Sequence, residues 1–272
     1  MIRKISCALL AVLLLGAALW LQLRHQAVKQ TALLAKLDQI VKVTREPILD
    51  CAEIAAKNPL VILALGQSNA ANHGERTKTP QTPVTLIADG KCVMATDPLP
   101  GSTGRGGSIW SRLKGPLLIS VMGIDATSIS EWTAEQSPLR QRLATHIATM
   151  KTLGLTPKVI LWQQGEADAQ LGTTAAAYAA ELQKLADTLA QAGTDAPIIM
   201  ALSTVCRSNA NHAIRTAIIT QATHNKRFKV GPDTDTLNKD LLRADGCHFS
   251  ASGLDQAAQL WVTELQHEFT GI

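Results

Sequence analysis

Residues 60–69 read Leu-Val-Ile-Leu-Ala-Leu-Gly-Gln-Ser-Asn, six apolar residues followed directly by a glycine and three polar side chains. A short uninterrupted apolar run is typical of a strand that is buried on both faces, as in a parallel sheet. Similar runs follow at residues 117–121, 159–162 and 198–202. Because a helical pattern comes after each of these, the sequence predicts an α/β fold in which helices cover both faces of a central parallel sheet.

The other elements follow from local spacing and turn residues. Asp89-Gly90 separates residues 85–88 from residues 91–94, a pattern typical of a hairpin. A glycine-rich loop at residues 101–107 leads to a predicted helix start near Ser108. Helices are predicted over residues 135–153, 174–192, 211–223 and 252–269. Since ligands bind beyond the carboxyl ends of parallel strands, a functional site is expected in the segments that follow the strands.

The composition restricts the possible function classes. The 272 residues are 46% hydrophobic and 18% charged, with a formal net charge of +4. A chain of this kind supports one globular core and is not disordered. The body of the chain contains no dense run of Lys and Arg, so we expect no nucleic-acid partner. It contains no CxxC motif and no Cys/His ligand cluster, so we expect no metal site.

The N-terminus resembles a targeting segment. Arg3 and Lys4 precede an uncharged apolar run over residues 5–21, and the next charge is Arg24. This length is at the lower edge of what spans a bilayer. Gly16-Ala17-Ala18 offers a signal-peptide cleavage site as the alternative, but the apolar run continues past it, which favours an uncleaved anchor.

Three segments are therefore expected along the chain: a signal-anchor or signal peptide at 1–24, a helical stalk or linker at 25–55, and a folded domain at 56–272. The helical spacing of the second segment ends at Pro47. We expect the domain to be exported to a periplasmic or extracellular face and anchored to the membrane by residues 5–23. Four cysteines lie outside the membrane segment: Cys51, Cys92, Cys206 and Cys247. An oxidising compartment permits two disulfides among them, in any of three pairings.

Gly66-Gln67-Ser68-Asn69 follows the first strand directly. A serine at such a turn can project its hydroxyl into a cleft beside unbonded backbone N–H groups. The alternative is a helix N-cap, which both Ser and Asn favour. Ala70 stands where a GxSxG motif has its second glycine, which argues against the α/β-hydrolase fold.

Asp245-Gly246-Cys247-His248 precedes the last predicted helix. An Asp and a His three residues apart on one turn can pair, so that the carboxylate fixes the imidazole tautomer and the other ring nitrogen faces a nucleophile. A capping Asp and a surface His are the alternative interpretation.

Two more polar segments follow predicted strands. In Trp162–Asp168 (WQQGEAD), Gln164 can offer an amide donor to an oxyanion and Gly165 allows close backbone approach. Glu166 and Asp168 are too close in sequence to flank a glycosidic bond. Thr127–Trp132 (TSISEW) can form a wall for a carbohydrate or acyl group, or can simply cap the next helix.

Together these motifs resemble the SGNH hydrolase superfamily, in its sialate O-acetylesterase-like and acetylxylan-esterase-like branch. Five pieces occur in the order typical of that family: GQSN at 66–69, GGS at 106–108, TSISEW at 127–132, WQQGEAD at 162–168 and DGCH at 245–248. The resemblance implies a three-layer α/β/α flavodoxin-like fold and hydrolysis of an O-acetyl ester without a cofactor. It implies Ser68 as the nucleophile, His248 as the general base and Asp245 as the residue that orients it.

The resemblance also implies an oxyanion hole and substrate contacts. Its donors would be the Ser68 N–H, a loop glycine, assigned to Gly107 with Gly106 as the near alternative, and the Gln164 amide. The substrate-binding residues would be Gln67, Asn69, Ser128, Trp132 and Glu166. A Cys206–Cys247 disulfide is then a hypothesis for bracing the catalytic loop, which leaves Cys51 with Cys92; buried free thiols are the alternative.

The resulting prediction is an exported serine esterase that removes O-acetyl groups from a carbohydrate through an acyl-enzyme. Three alternatives stay open at this point. The first is an O-acetyltransferase on the same scaffold, the second a lipase or thioesterase of the superfamily, and the third a non-catalytic glycan-binding protein. The natural sugar and the oligomeric state are not readable from the sequence.

Overall fold

A computed structural model describes residues 2–44, 47–79, 84–115, 117–239 and 241–269, without the side chains of residues 2–15, 18, 22 and 25. The strands are β1 (Ile48–Leu49), β2 (Leu60–Gly66), β3 (Thr85–Ala88), β4 (Lys91–Met94), β5 (Leu117–Gly123), β6 (Val159–Gln163), β7 (Ile198–Leu202) and β8 (Phe228–Asp233). The helices are α1 (Ile2–Leu37), α2 (Cys51–Ala56), α3 (Ile129–Thr133), α4 (Pro138–Thr152), α5 (Glu166–Leu171), α6 (Ala175–Gln191), α7 (His212–His224) and α8 (Ala251–Glu268).

The strands form one sheet in the order β1-β4-β3-β5-β2-β6-β7-β8. From β3 to β8 all neighbours in this order are parallel, whereas β4 is antiparallel to both β3 and β1. The sheet is therefore mixed, with a central parallel part as predicted and antiparallel strands at one side. The cause is the Asp89-Gly90 turn, which reverses the chain within two residues and so can only join antiparallel strands.

Both faces of the sheet are covered, because side chains alternate along each strand. On β2, Leu63 and Leu65 pack in a cluster that includes residues of α4, α6 and α7. Ile62 and Ala64 point the other way, into a second cluster that includes Trp261 of α8. The fold is thus α/β with helices on the two sides of the sheet.

The strands predicted from apolar runs are all present, and the predicted hairpin is β3–β4. The helix expected from Ser108 is only a short 3-10 turn, Trp110–Arg112. The edge strand β8 was not predicted from sequence. It contains Lys229, Gly231 and Pro232 and therefore lacks the apolar run that identified the other strands. An edge strand tolerates such residues because one of its sides is not hydrogen-bonded to a neighbouring strand.

The last part of the N-terminal segment, from about residue 33, packs on the domain. Leu33 and Ile40 are buried in the core, and β1 is a strand of the sheet, so the segment expected as a stalk over 25–55 is packed with the domain from about residue 33 onward. Among the helices of the described residues, none is both long and apolar enough to cross a membrane. Most side chains of the predicted anchor, residues 5–23, lie outside the described part of the chain, so the anchor stays a prediction.

Two disulfides join distant parts of the chain, Cys51 to Cys92 and Cys206 to Cys247. These are the two pairs of the disulfide hypothesis. The first connects the start of α2 to β4, and the second connects the segment after β7 to the Asp245–His248 turn.

Candidate active site

Ser68 lies at the carboxyl end of β2, where the chain leaves the sheet. Gly66 makes this exit possible: its φ is +150°, and a Cβ there would lie 2.0 Å from the Gln163 carbonyl oxygen. Ser68 then begins a 3-10 turn, Ser68–Ala70. Within the described residues, neither its backbone N–H nor its hydroxyl has a hydrogen-bond partner. The turn therefore presents a hydroxyl and an N–H that the fold does not use.

Asp245 and His248 pair within one turn. The His248 Nδ1 lies 2.9 Å from Asp245 Oδ2, and Oδ1 accepts the backbone N–H groups of Cys247 at 2.9 Å and His248 at 2.7 Å. Partial burial opposes ionisation, but these hydrogen bonds outweigh it and hold the pKa of Asp245 well below its ordinary value. The carboxylate thus orients the imidazole and leaves Nε2 as the ring nitrogen available to a nucleophile.

Several hydrogen bonds fasten the Ser68 turn to the His248 loop. The Asn69 amide donates to the Cys247 carbonyl at 3.2 Å, and the Glu75 N–H donates to the Phe249 carbonyl at 3.0 Å. Within the His248 loop itself, the buried Arg243 guanidinium donates to the same Cys247 carbonyl, at 2.6 Å. The structure therefore brings the serine turn and the Asp–His turn side by side, although about 180 residues separate them in sequence.

The buried Glu166 carboxylate holds the Asn69 side chain in place. Its Oε1 accepts from the Asn69 amide at 2.7 Å and from the Ser203 hydroxyl at 2.7 Å, while Oε2 is buried without a partner among the described residues. Burial raises the pKa of Glu166, against the lowering effect of these two hydrogen bonds. Glu166 and Asn69 are thus both buried and bonded to each other, and their roles as substrate contacts stay predictions.

Gln164, expected to donate to the oxyanion, is fully occupied in the interior. Its Nε2 donates to the Thr127 carbonyl at 3.1 Å and to Asp168 at 2.6 Å, and its Oε1 accepts from the Tyr178 hydroxyl at 2.7 Å. A buried amide is stable only when its donors and acceptor are paired, and the fold supplies those partners here. The Gln164 amide thus has no unpaired donor in this structure, and its role in an oxyanion hole stays a prediction.

The two glycines expected to supply a loop donor are also hydrogen-bonded within the fold. The Gly107 N–H donates to the Gly74 carbonyl at 2.9 Å and the Gly106 N–H to the Asn72 carbonyl at 2.8 Å, so neither is available to an oxyanion. The Gly104 N–H has no acceptor in the described part of the chain. Gly104 has a φ of +84°, and a Cβ there would lie 2.3 Å from the Asn72 carbonyl oxygen, so this position requires glycine.

The remaining expected substrate contacts have different environments. The Gln67 Oε1 accepts a hydrogen bond from the Ala167 N–H at 3.0 Å, whereas the Gln67 Nε2 has no acceptor among the described residues. Ser128 forms a capping box at the start of α3. Trp132 is fully buried, donates to the Thr127 hydroxyl at 3.1 Å and stacks edge-on against Trp162. Ser128 and Trp132 therefore have contacts that stabilise the fold, and their roles in substrate binding stay predictions.

Two residues near the site were not predicted from sequence. His73 stacks on His248, with ring centroids 5.4 Å apart and an interplanar angle of 26°. Arg207 has a φ of +57° and places Nη2 3.5 Å from Asp245 Oδ2. Each follows a motif already singled out in the sequence, His73 after the GQSN turn and Arg207 after Cys206, which is a weak indication that they lie near the site. Their contacts with His248 and Asp245 could not be predicted, because these depend on the fold.

One grouping among the described residues has the geometry to hold a metal ion, Glu264, His267 and Glu268. It lies on α8 and contains none of the residues described above, and Lys229 already pairs with Glu268.

Comparison with known proteins places this geometry in context. The family model SASA, described as carbohydrate esterase, sialic acid-specific acetylesterase, matches residues 113–266. This range includes Asp245 and His248 and begins after Ser68. No functionally curated protein matches the chain in sequence.

Solved structures share the fold at low sequence identity. A protein from Arabidopsis thaliana superimposes with a TM-score of 0.59 at 18% identity, covering 78% of this chain and 99% of that one. NanS gives a TM-score of 0.51 at 16% identity, covering 76% and 96%. A carbohydrate esterase of family 3 from Talaromyces cellulolyticus gives 0.50 at 15% identity, covering 78% and 99%.

These solved structures thus share the α/β fold of this chain. Since the family model matches more than half of the chain, the protein belongs to the SASA family of carbohydrate esterases and is a carboxylic ester hydrolase.

Proposed function

We propose that this protein is an exported carbohydrate O-acetylesterase that works through Ser68, His248 and Asp245. One observation carries the proposal: the Asp245–His248 pair, joined at 2.9 Å, is fastened by Asn69 beside a serine whose hydroxyl the fold leaves unbonded. The acetylated carbohydrate substrate is inferred from the family description.

In the first half of the reaction, His248 Nε2 accepts the Ser68 proton as the oxygen attacks the acetyl carbonyl. The Asp245 carboxylate, ionised because its pKa is held low, stabilises the imidazolium that forms. His248 then donates the proton to the departing sugar oxygen, which leaves an acetyl-serine. In the second half, water loses a proton to His248 and attacks that ester, releasing acetate and restoring the Ser68 hydroxyl.

The tetrahedral intermediate needs donors that the fold has not already used. We propose the N–H groups of Ser68 and Gly104 and the Nε2 of Gln67 for this role, in place of Gly107 and Gln164. Support comes from their lack of acceptors in the described part of the chain. Each such donor typically contributes about 3 kcal/mol of transition-state stabilisation.

The compartment is part of the proposal. Two disulfides are stable in an oxidising environment and favour export over a reducing interior. The basic and apolar N-terminal sequence then supplies the export signal, and we propose that residues 5–23 also anchor the chain.

The test compares two serines in the same protein. Acetate release from p-nitrophenyl acetate and from acetylated glycans is measured for wild type, Ser68→Ala and the control Ser120→Ala, a serine of β5 that is bonded to His146 at 2.6 Å. We expect Ser68→Ala to lose at least roughly 10³-fold in kcat and Ser120→Ala to keep its activity, if folded. Butyrate and octanoate esters establish the acyl preference.

Two outcomes would contradict the proposal. Unchanged turnover in Ser68→Ala would exclude the acyl-serine mechanism. Acetate that appears on an added sugar faster than in water would identify an acetyltransferase instead.

A further inference from the structure

His73 follows the nucleophile turn, and its backbone is held on both sides. The Asn72 amide group donates to the Leu99 carbonyl at 2.9 Å and accepts the Leu99 N–H at 2.7 Å. Gly74 and Gly107 exchange two backbone hydrogen bonds, each 2.9 Å long. Because both neighbours are fixed in this way, the direction of the His73 side chain is set by the same loops that build the site.

The imidazole of His73 contacts two parts of the site. One face stacks on His248 with 5.4 Å between ring centroids. Its Cδ2 lies so close to Gly104 that a Cβ on that glycine would be 2.8 Å away. Its Nε2 lies 3.4 Å from the Thr103 hydroxyl oxygen. A single ring therefore separates the imidazole of His248 from the loop that carries the unbonded Gly104 N–H.

We propose that His73 is a positioning residue of this active site, whose uncharged imidazole holds the ring of His248 and the Gly104 loop in their working positions. The inference rests on the proposed roles of Ser68, His248 and Gly104. When His248 takes up the serine proton it becomes a cation, and a neutral ring stacked on it is tolerated, whereas a second cation would repel it. The active enzyme accordingly needs both histidines uncharged at the start of the reaction.

The charges that face His73 agree with this requirement. They are Asp125 after β5 and Asp245 and His248 on the histidine loop, and Arg207 in turn pairs with Asp245. Burial lowers the pKa of His73, Asp125 and Asp245 oppose that shift, and the charge of His248 adds to it. The lowered pKa favours the uncharged ring of His73, and protonation of that ring would place a positive charge beside His248.

The experiment measures kcat and KM as functions of pH for the full-length chain. The variants are His73→Ala, which removes the ring, and His73→Phe, which keeps a ring that cannot be protonated. His224→Phe, an exposed histidine of α7, is the control. We expect His73→Ala to lose roughly tenfold to hundredfold in kcat with a smaller change in KM, and His73→Phe to recover most of that loss at neutral pH.

The acid limb of the pH profile separates positioning from simple packing. If both imidazoles must be uncharged, log kcat/KM of wild type falls with a slope approaching about two, and that of His73→Phe with a slope of about one. If His73 only fills space, its protonation does not block turnover and the two limbs have the same slope.

Equal acid slopes for wild type and His73→Phe, or an unchanged kcat in His73→Ala, would overturn the inference. Either result leaves the proposed function standing as long as Ser68→Ala is inactive. If Ser68→Ala stays active, the proposed function itself fails. Should His73→Ala not fold, His73→Phe alone decides, since it preserves the ring.

Discussion

Two regions of this molecule each bring together a serine, a histidine and an aspartate. The first comprises Ser68, His248 and Asp245, and the second comprises Ser120, His146 and Asp89. Between these two regions, only the second has a hydrogen bond from serine to histidine among the described residues, at 2.6 Å, yet we assign the chemistry to the first. The contrast shows which features make a serine into a nucleophile.

In the second region, the hydroxyl of Ser120 and the carboxylate of Asp89 are both hydrogen-bonded within the fold. The Ser120 hydroxyl lies 2.8 Å from the Ile87 carbonyl as well as against His146, and no part of Ser120 is exposed. Burial lowers the pKa of His146 to about 4, the charge of Arg142 adds to this, and Asp89 opposes it. The Asp89 carboxylate accepts the Val43 N–H instead of orienting His146.

In the first region the corresponding groups are left available. The Ser68 hydroxyl is unbonded within the described residues, and the carboxylate of Asp245 is bonded directly to Nδ1 of His248. A serine–histidine contact is therefore a poor sign of catalysis by itself. An unbonded hydroxyl, an oriented base and N–H groups without acceptors are better signs.

The largest expected effect on kcat distinguishes two single variants, in which one aspartate of each region is replaced by asparagine. Asp245→Asn keeps the shape of the turn but favours the wrong tautomer of His248, so kcat should fall by roughly 10³- to 10⁴-fold. Asp89→Asn can still accept the Val43 N–H, and its kcat should equal that of wild type. Steady-state kinetics on p-nitrophenyl acetate check both, and similar losses in the two variants would contradict the distinction between the regions.

A second effect separates the two glutamines that flank the site. Gln67→Leu removes a proposed oxyanion donor, so kcat should fall by roughly 10²-fold with little change in melting temperature. Gln164→Leu instead leaves Asp168 and Tyr178 without a buried partner, which should cost about 1–3 kcal/mol of stability. Kinetics and thermal denaturation of each variant supply the data. A stable but inactive Gln164→Leu would return that residue to the oxyanion hole.

The third effect concerns stability in the second region. The pKa of His146 is about 4 in the folded protein and 6.5 as its ordinary value, so on acidification the unfolded chain binds the proton first. Stability should therefore be complete above about pH 6.5 and fall toward pH 4, by at most about 3 kcal/mol. His146→Gln can still bond Ser120 but does not titrate, so its urea-unfolding free energy should change less between pH 7 and pH 4.5. An identical change in both proteins would show that His146 is protonated as easily folded as unfolded.

Local features of the chain predicted much of the fold. The apolar runs that became β2, β5, β6 and β7 are long enough to be recognised, and Asp89-Gly90 specifies its own turn. The short elements β1 and α5, and the edge strand β8, carry no such pattern, because their positions depend on what they pack against.

The same distinction between local and long-range determinants applies to the candidate site. The sequence alone determined what is local: the chain leaves β2 at Gly66 with Ser68 two residues later, and Asp245 and His248 are close enough in sequence to pair in one turn. Only the tertiary structure decided which donors are available, why Gly107 and Gln164 are not, and that His73 stacks on His248. The physical reason is that a buried polar group must find a partner somewhere in the fold, and that partner can lie anywhere in the chain.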